Sequence, residues 1–214
     1  MKTIIVSGFR RFGTYRSNPT ETLAGRLHET SLSGYRVIPV VYDANIPKDD
    51  RGEKLLALAH QLDASGIISL GVDSQKRGLC VERIARNIIL NAKYCPPELQ
   101  NTRVDATRSL GEELNLHRGP WALYNFQRLC AERHIPTEIS HDAGGFCCNH
   151  LAYQVLAAQK RGIVPAMPFI FIHVPCSPES IADTSTFQKE DKVALDIRVM
   201  AAGIENLATV ADLD

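Results

Sequence analysis

Three kinds of side chain, far apart in this chain, could together perform nucleophilic hydrolysis. Adjacent cysteines, Cys147 and Cys148, follow the turn Ser140-His141-Asp142-Ala143-Gly144-Gly145-Phe146 and stand where a helical pattern begins. Unpaired backbone N–H groups and the positive dipole end at a helix start lower a thiol pKa, and the same groups can receive an oxyanion. His173 interrupts the apolar run Phe169-Ile170-Phe171-Ile172-His173-Val174, and Glu82 follows an earlier strand. A thiol, an imidazole to take its proton and a third group to orient the imidazole form a nucleophilic hydrolase arrangement. Each residue also has a plainer reading. Cysteines commonly pack as small buried hydrophobes. A glutamate flanked by arginines, here Arg83 and Arg86, is commonly a surface ion pair. A lone histidine in an apolar strand is commonly a hydrogen-bonded core residue. Spacing alone does not bring the three together.

The elements that must position these groups are legible. Thr3 to Ser7 is a β-branched run ending at Gly8, a buried first strand. The loop Gly8-Phe9-Arg10-Arg11-Phe12-Gly13 leads to Asn18-Pro19-Thr20-Glu21, which has the form of a helix start: asparagine caps and proline takes the first position. In an open α/β sheet such a loop lies where ligands bind. Phe9 and Phe12 either plug the space between helix and sheet or line a pocket. Tyr35 to Tyr42 is a second strand, and its internal Pro39 points to an edge or an irregular position. Pro47 opens a helix through Leu55, Leu56, Leu58, Ala59 and Leu62. Gly66 to Gly71 is a third strand. The resulting βαβαβ alternation argues for an α/β fold with a largely parallel core.

Farther on, the segment 79–87 reads equally as strand or helix. Residues 88–118 form a long excursion with one short hairpin, the kind of segment that serves function or contacts another subunit. Phe126 to Arg133 reads as helix with Asn125 as cap. Thr137 to Ile139 is a strand that delivers the chain to the cysteine turn. Leu151, Ala152, Val155 and Leu156 continue the helix after it. Lys160 and Arg161 close that helix, with Gly162 beyond the cap. Pro168 to Pro175 is a strongly apolar strand, Glu179 to Lys189 a loop, and Glu190 to Ala208 a terminal amphipathic helix.

Bulk properties remove several classes. Lys plus Arg and Asp plus Glu both total 24, so no net charge favours nucleic acid or an anionic membrane. No apolar run approaches a membrane span. Six irregularly spaced cysteines in 214 residues, without a secretory pattern at the start, read as reduced thiols in a cytoplasmic protein. With no repeat, tract or linker, residues 1–214 are expected to form one domain. Cys148, His150, His173 and Cys176 match no common zinc pattern closely, and neither a metal nor a cofactor is expected.

Four separated motifs, in order, resemble those of the pyroglutamyl peptidases. Gly8-Phe9-Arg10-Arg11-Phe12-Gly13 with Asn18-Pro19 is similar to the family's GF-x-x-FG…NP signature. Glu82 to Asn87 resembles its E-R-x-A-x-N motif, Ser140 to Asn149 its S-x-x-A-G-x-[FY]-x-C-N motif, and Phe171-Ile172-His173-Val174-Pro175 its F-I-H-V-P motif. The resemblance covers most of the chain. It implies a single three-layer α/β/α domain around a mixed, largely parallel twisted sheet. It implies Cys148, the cysteine before asparagine, as nucleophile, with His173 as base and Glu82 orienting the imidazole. Phe9 and Phe12 fall where the family holds the pyroglutamyl ring. The implied activity is removal of an N-terminal pyroglutamyl residue from peptides through a thioester. A homo-oligomer, tetramer or dimer, is implied as well; within this chain the excursion 88–118 is the candidate contact region. The chain departs from the family pattern at Arg10-Arg11 (usually Glu-Pro), at Asp73-Ser74-Gln75-Lys76 (usually A-G-G-R), at Gly145 (usually threonine) and at Cys147 (usually apolar). The competing reading is a non-catalytic relative that binds a pyroglutamyl-like ligand.

Overall fold

A computed structural model describes residues 2–13, 15, 17–30, 32, 34–44, 50–90, 95–116, 120–162, 165–182 and 194–210. In chain order the elements are β1 (Thr3–Phe9), α1 (Pro19–Thr30), β2 (Arg36–Tyr42), α2 (Arg51–Gln61), β3 (Ala64–Val72), β4 (Leu79–Glu82), β5 (Ile84–Arg86), β6 (Glu113–Asn115), α3 (Pro120–Glu132), β7 (Thr137–Ser140), α4 (Cys147–Lys160), β8 (Phe169–Val174), α5 (Pro178–Ala182) and α6 (Ile197–Val210). A single 3-10 turn spans Pro97–Leu99.

Six strands form one sheet in the order β2-β1-β3-β8-β4-β7, and β5 and β6 form a separate antiparallel pair. Within the large sheet β1/β2, β1/β3, β3/β8 and β4/β7 are parallel, whereas β4/β8 is antiparallel. The sheet is therefore mixed and mostly parallel, as expected. Pro39 lies in β2, the edge strand beside β1, where a missing N–H breaks no inner ladder.

Side-chain alternation sorts the strands' residues into two layers. On one face Ile4, Val6, Ile68, Leu70, Leu79, Val81, Ile172 and Val174 pack with Leu23, Leu27, Phe126, Met200 and Ile204, which belong to α1, α3 and α6. On the other face Ile5, Phe9, Ile67, Phe169 and Phe171 pack with Leu55, Leu56, Leu151, Ala152 and Val155 from α2 and α4. This is the three-layer α/β/α arrangement. From β1 the chain passes through α1 to β2 on one side. It then returns through α2, on the opposite face, to β3 on the other side of β1. That reversal opens a crevice at the carboxyl ends of β1 and β3, where ligands enter open α/β sheets.

Local signals fix most boundaries. Asn18 Oδ1 accepts the Thr20 N–H at 3.0 Å and caps α1 as expected. α4 ends with Arg161 at its C-cap, and Gly162 follows at φ 69°. Other elements differ from expectation. The start of the second helix at Pro47 lies outside the described residues. α3 begins at Pro120, so Asn125 is interior to it and caps nothing. The ambiguous segment is two strands, β4 and β5, broken at Arg83, whose N–H bonds Ser140 O and whose carbonyl accepts from Leu116 N–H. The stretch expected as loop from Glu179 begins as α5, and the last helix starts at Ile197 rather than Glu190. Asp196 Oδ1 accepts the Arg198 N–H at 2.7 Å, a local cap that sets this later start. Residues 183–193, including the expected helix start, are outside the described set.

The excursion after β5 folds back onto α4. Asn87 Nδ2 donates to Asp105 O (2.9 Å) and Ser109 O (3.0 Å), while Asn87 Oδ1 accepts from Asp105 N–H (2.8 Å). Tyr153 on α4 donates its hydroxyl proton to Glu112 Oε2 at 2.8 Å, so this buried ring leaves no polar atom unpaired. No helix among the described residues is long and apolar enough to cross a membrane. None of the cysteines is in a disulfide among the described residues.

Candidate active site

Strand register brings the expected residues together. Phe169, Phe171 and His173 point to the α4 side of β8, and Gly71 is the register partner of His173 on β3. On the other flank Cys80 pairs with His173 and Glu82 with Phe171, so both β4 residues face the same layer. His173 Nδ1 lies 2.8 Å from Glu82 Oε1. Glu82 is fully buried, and His173 is 6% exposed. An ionised carboxylate only accepts, so Nδ1 carries the ring proton and Nε2 is the basic nitrogen. Phe171 packs edge-on to the imidazole with centroids 5.2 Å apart, which restricts its rotation.

Cys148 enters from above, in the first turn of α4. A β-carbon built on Gly71 would lie 2.8 Å from Cys148 Sγ, 2.8 Å from His173 Cδ2 and 3.0 Å from His173 Nε2. The sulfur and the Nε2 edge of the ring therefore crowd one point above Gly71. Glycine is the residue that leaves that point open. Sequence reasoning placed Gly71 only as a strand end. Its role depends on the β3/β8 register, which no local pattern carries.

The turn before Cys148 is shaped from both sides. Gly144 has φ 79°, a conformation that a β-carbon disfavours. A β-carbon on Gly145 would meet Leu90 Cβ at 2.3 Å, and Gly145 O accepts the Leu90 N–H at 2.7 Å. Asn149, buried beside the thiol, donates to Arg86 O and Ile88 O and accepts the Arg86 N–H, all at 2.8–2.9 Å. Segment 86–90 is thus clamped along the turn. This assigns a structural task to the asparagine after Cys148, a residue that sequence reasoning used only as a landmark.

The helix start does not depress the Cys148 thiol. The thiol is pushed well above its ordinary pKa by its hydrogen bond with Cys147, then by burial and by the carboxylates of Asp73 and Glu82. The Cys147 hydrogen bond, burial and two nearby carboxylates all act against the lowering expected at a helix start. The N-cap of α4 is Phe146, which makes no side-chain cap hydrogen bond.

Phe9 closes β1 at the mouth of the crevice. It is 2% exposed, in the same packed layer that Cys148 and Tyr42 adjoin, with its ring centroid 6.4 Å from that of Tyr42. Its N–H donates to Thr20 Oγ1 at 2.9 Å, and Asn18 Nδ2 donates to Arg10 O at 3.1 Å. The start of α1 therefore holds the loop. Phe12 lies farther along it, half-buried, with its ring centroid 5.2 Å from that of Tyr15. Arg10, in the departing dipeptide, points outward to Asp43 at 3.1 Å. Among the described residues no cluster of His, Cys, Asp or Glu is arranged to hold a metal ion.

A thiol at a helix start, an imidazole edge beside it and a buried carboxylate on the far ring nitrogen are the groups of a cysteine-type hydrolase. A family model described as pyroglutamyl peptidase matches residues 2–210, and the chain belongs to that family. The pyrrolidone-carboxylate peptidase of Oceanobacillus iheyensis is 30% identical over 182 residues, covering 83% of this chain and 85% of the relative. That of Bacillus cytotoxicus is 27% identical over 224 residues, covering 99% and 93%. Among solved structures, the pyrrolidone carboxyl peptidase of Thermococcus litoralis superposes with a TM-score of 0.79 at 22% identity, covering 99% of this chain and 93% of that one. Bacillus amyloliquefaciens pyroglutamyl peptidase I superposes with a TM-score of 0.80 at 21% identity, covering 99% and 97%. Both have the same fold as this chain.

Proposed function

We propose that this chain is a cysteine exopeptidase that hydrolyses an N-terminal pyroglutamyl residue from peptides, with Cys148, His173 and Glu82 as its catalytic residues. The observation that carries this reading is the convergence of Cys148 Sγ and the His173 Nε2 edge above Gly71, with Nδ1 held by buried Glu82. With its thiol pKa raised, Cys148 rests protonated and needs a base at the moment of attack. His173 Nε2 takes the thiol proton while its Nδ1–H remains on Glu82. The thiolate adds to the pyroglutamyl carbonyl carbon. The resulting oxyanion is received by first-turn N–H groups of α4, whose N-cap side chain offers them no acceptor. The imidazolium then protonates the leaving amine as the C–N bond breaks, leaving a thioester. Nε2 next deprotonates a water that hydrolyses the thioester and releases pyroglutamate.

Phe9 and Phe12 are the proposed walls for the lactam ring. A pyroglutamyl group has no free amine, so apolar walls with a few backbone partners suit it better than an ionic clamp. The partner of the lactam C=O would go unpaired against a prolyl analogue, which lacks the second oxygen. We take residues 1–214 as one catalytic unit, working in the cytoplasm, and the 88–118 excursion as the contact between copies; a monomer in sedimentation would remove that contact. The decisive assay compares a pyroglutamyl amide with its prolyl counterpart. Wild-type protein should cleave the first only, and Cys148→Ser should lose about 10⁴-fold or more. Unchanged hydrolysis by Cys148→Ser would overturn the assignment. Pyroglutamyl-ligand binding without turnover by wild-type protein would favour the non-catalytic relative.

A further inference from the structure

Asp73 follows β3 directly, in the stretch where this chain departs from the family pattern. Its backbone still belongs to the sheet. β3 pairs Gly71 with His173 and Val72 with Val174, and the Asp73 N–H donates to Val174 O at 3.0 Å. Side chains two residues apart on a strand share a face. Ile67 packs in the α2 and α4 layer, and Gly71 opens toward Cys148, so Asp73 stands on that face as well. It lies one strand repeat, about 7 Å, beyond the point where Cys148 Sγ and the His173 ring converge. Below that point the sheet is closed. Ser7 pairs with Ser69, their hydroxyls bond each other at 2.6 Å, and both residues and Phe171 are fully buried. A substrate attacked above Gly71 therefore extends outward along the sheet, at the level of Asp73.

The half-buried Asp73 carboxylate is held in place, because its Oδ1 accepts the Gln75 N–H at 2.9 Å. Among the described residues no cation pairs with it. Charges nearby on either side are already matched: the Lys76 ammonium is 3.5 Å from Glu138 Oε1, and the Arg10 guanidinium is 3.1 Å from Asp43 Oδ1. Arg77, farther along the loop, is exposed. The mouth thus presents a fixed, unmatched anion. A lactam ring carries no charge for it to bind, so its partner must lie beyond the scissile bond.

We propose that Asp73 selects the residue after the pyroglutamyl group: its carboxylate receives a lysine or arginine side chain there and disfavours an acidic one. This deepens the peptidase reading above and rests on it. A carboxylate that meets a cation at a solvent-reached mouth forms a charge-assisted bond that salt weakens. The Cys148 thiol agrees with this placement. It is raised first by the Cys147 hydrogen bond and by burial, and further by Asp73, as a carboxylate beside the point of attack would do.

The test is kcat/KM of the full chain on pyroglutamyl-lysine, pyroglutamyl-leucine and pyroglutamyl-glutamate amides. Wild type should favour lysine over glutamate by about tenfold at low salt, with leucine between them. The ratio should shrink to about twofold in about 0.5 M NaCl. Asp73→Asn, whose Oδ1 still accepts the Gln75 N–H, should bring the ratio near one at any salt, and Asp73→Glu should keep it. Each ratio is taken within one variant, so an effect on the thiol itself cancels. Modification of Cys148 by a cationic and an anionic methanethiosulfonate reads the same charge without turnover. The cation should react faster in wild type, and Asp73→Asn should remove that advantage. A wild-type ratio near one, a ratio that Asp73→Asn leaves in place, or an equal loss on all three amides would overturn the inference and leave the peptidase reading standing. Wild-type protein that cleaves none of the three would remove the peptidase reading, while the reagent ratio would still decide whether Asp73 selects charge at Cys148.

Discussion

The two faces of the central sheet are built from the same strands and do different work. Toward α1, α3 and α6 the strands present Ile4, Val6, Ile68, Leu70, Leu79, Val81, Ile172 and Val174, an unbroken aliphatic surface. Toward α2 and α4, the residues between them include Ser7, Ser69, Gly71, Cys80, Glu82 and His173, all drawn from the central strands β1, β3, β4 and β8. The Ser7 and Ser69 hydroxyls bond each other at 2.6 Å, and His173 Nδ1 bonds Glu82 Oε1 at 2.8 Å. A buried polar group is tolerated where its partner is delivered by register on the neighbouring strand. The first face thus supplies burial energy, and the second uses part of its area for chemistry.

Substitutions on the two faces should separate these tasks. The largest effect expected is from Glu82→Gln, which removes the carboxylate but keeps its shape. It should lower kcat/KM on a pyroglutamyl amide by about 10³-fold, with a smaller change in Tm than an aliphatic-face truncation. Steady-state kinetics with thermal melts checks this. Leu70→Ala, one residue from Gly71 but on the aliphatic face, should cost about 2–5 kcal/mol in chemical denaturation. The folded fraction should keep its kcat. A large kcat loss there would mean that the faces are not separable.

Gly71→Ala sharpens the contrast further. Its β-carbon would intrude between Cys148 Sγ and His173, and displacements of this kind lower turnover by about 10²-fold. Gly25→Ala, at an exposed position of α1, meets nothing within 4 Å and should raise stability by about 0.5–1 kcal/mol without altering kinetics. The smallest effect concerns how α4 is held. Glu112 is depressed to about 2, first by its hydrogen bonds with Arg108 and then by that from Tyr153. Its contribution is complete above the ordinary value of 4.5 and fades as pH falls toward 2. Melting temperatures across that window should fall less steeply for Glu112→Gln than for wild type.

What the sequence determined by itself was local or periodic. The β-branched runs marked β1, β3 and β8, the Asn18-Pro19 start and Lys160-Gly162 end marked helix boundaries, and a glycine-rich turn before a helical pattern marked the cysteines. These signals are carried within a few residues, so no tertiary context was needed. Segment 79–87 was not legible, because its break at Arg83 is made by bonds to Ser140 and Leu116, distant in the chain. The start of the last helix was missed as well, because apolar periodicity continued past the Asp196 cap. The convergence of residues 82, 148 and 173 had the same limit. Motif resemblance named them, but only strand order and register put Glu82 and His173 on one face, under the start of α4. Gly71 acquires its role from that register, and Asn149 from the distant segment it clamps. The thiol's raised pKa is shared between the two levels: its first cause, the hydrogen bond with Cys147, comes from the next residue in the chain, and burial and the carboxylates of Asp73 and Glu82 come from the fold.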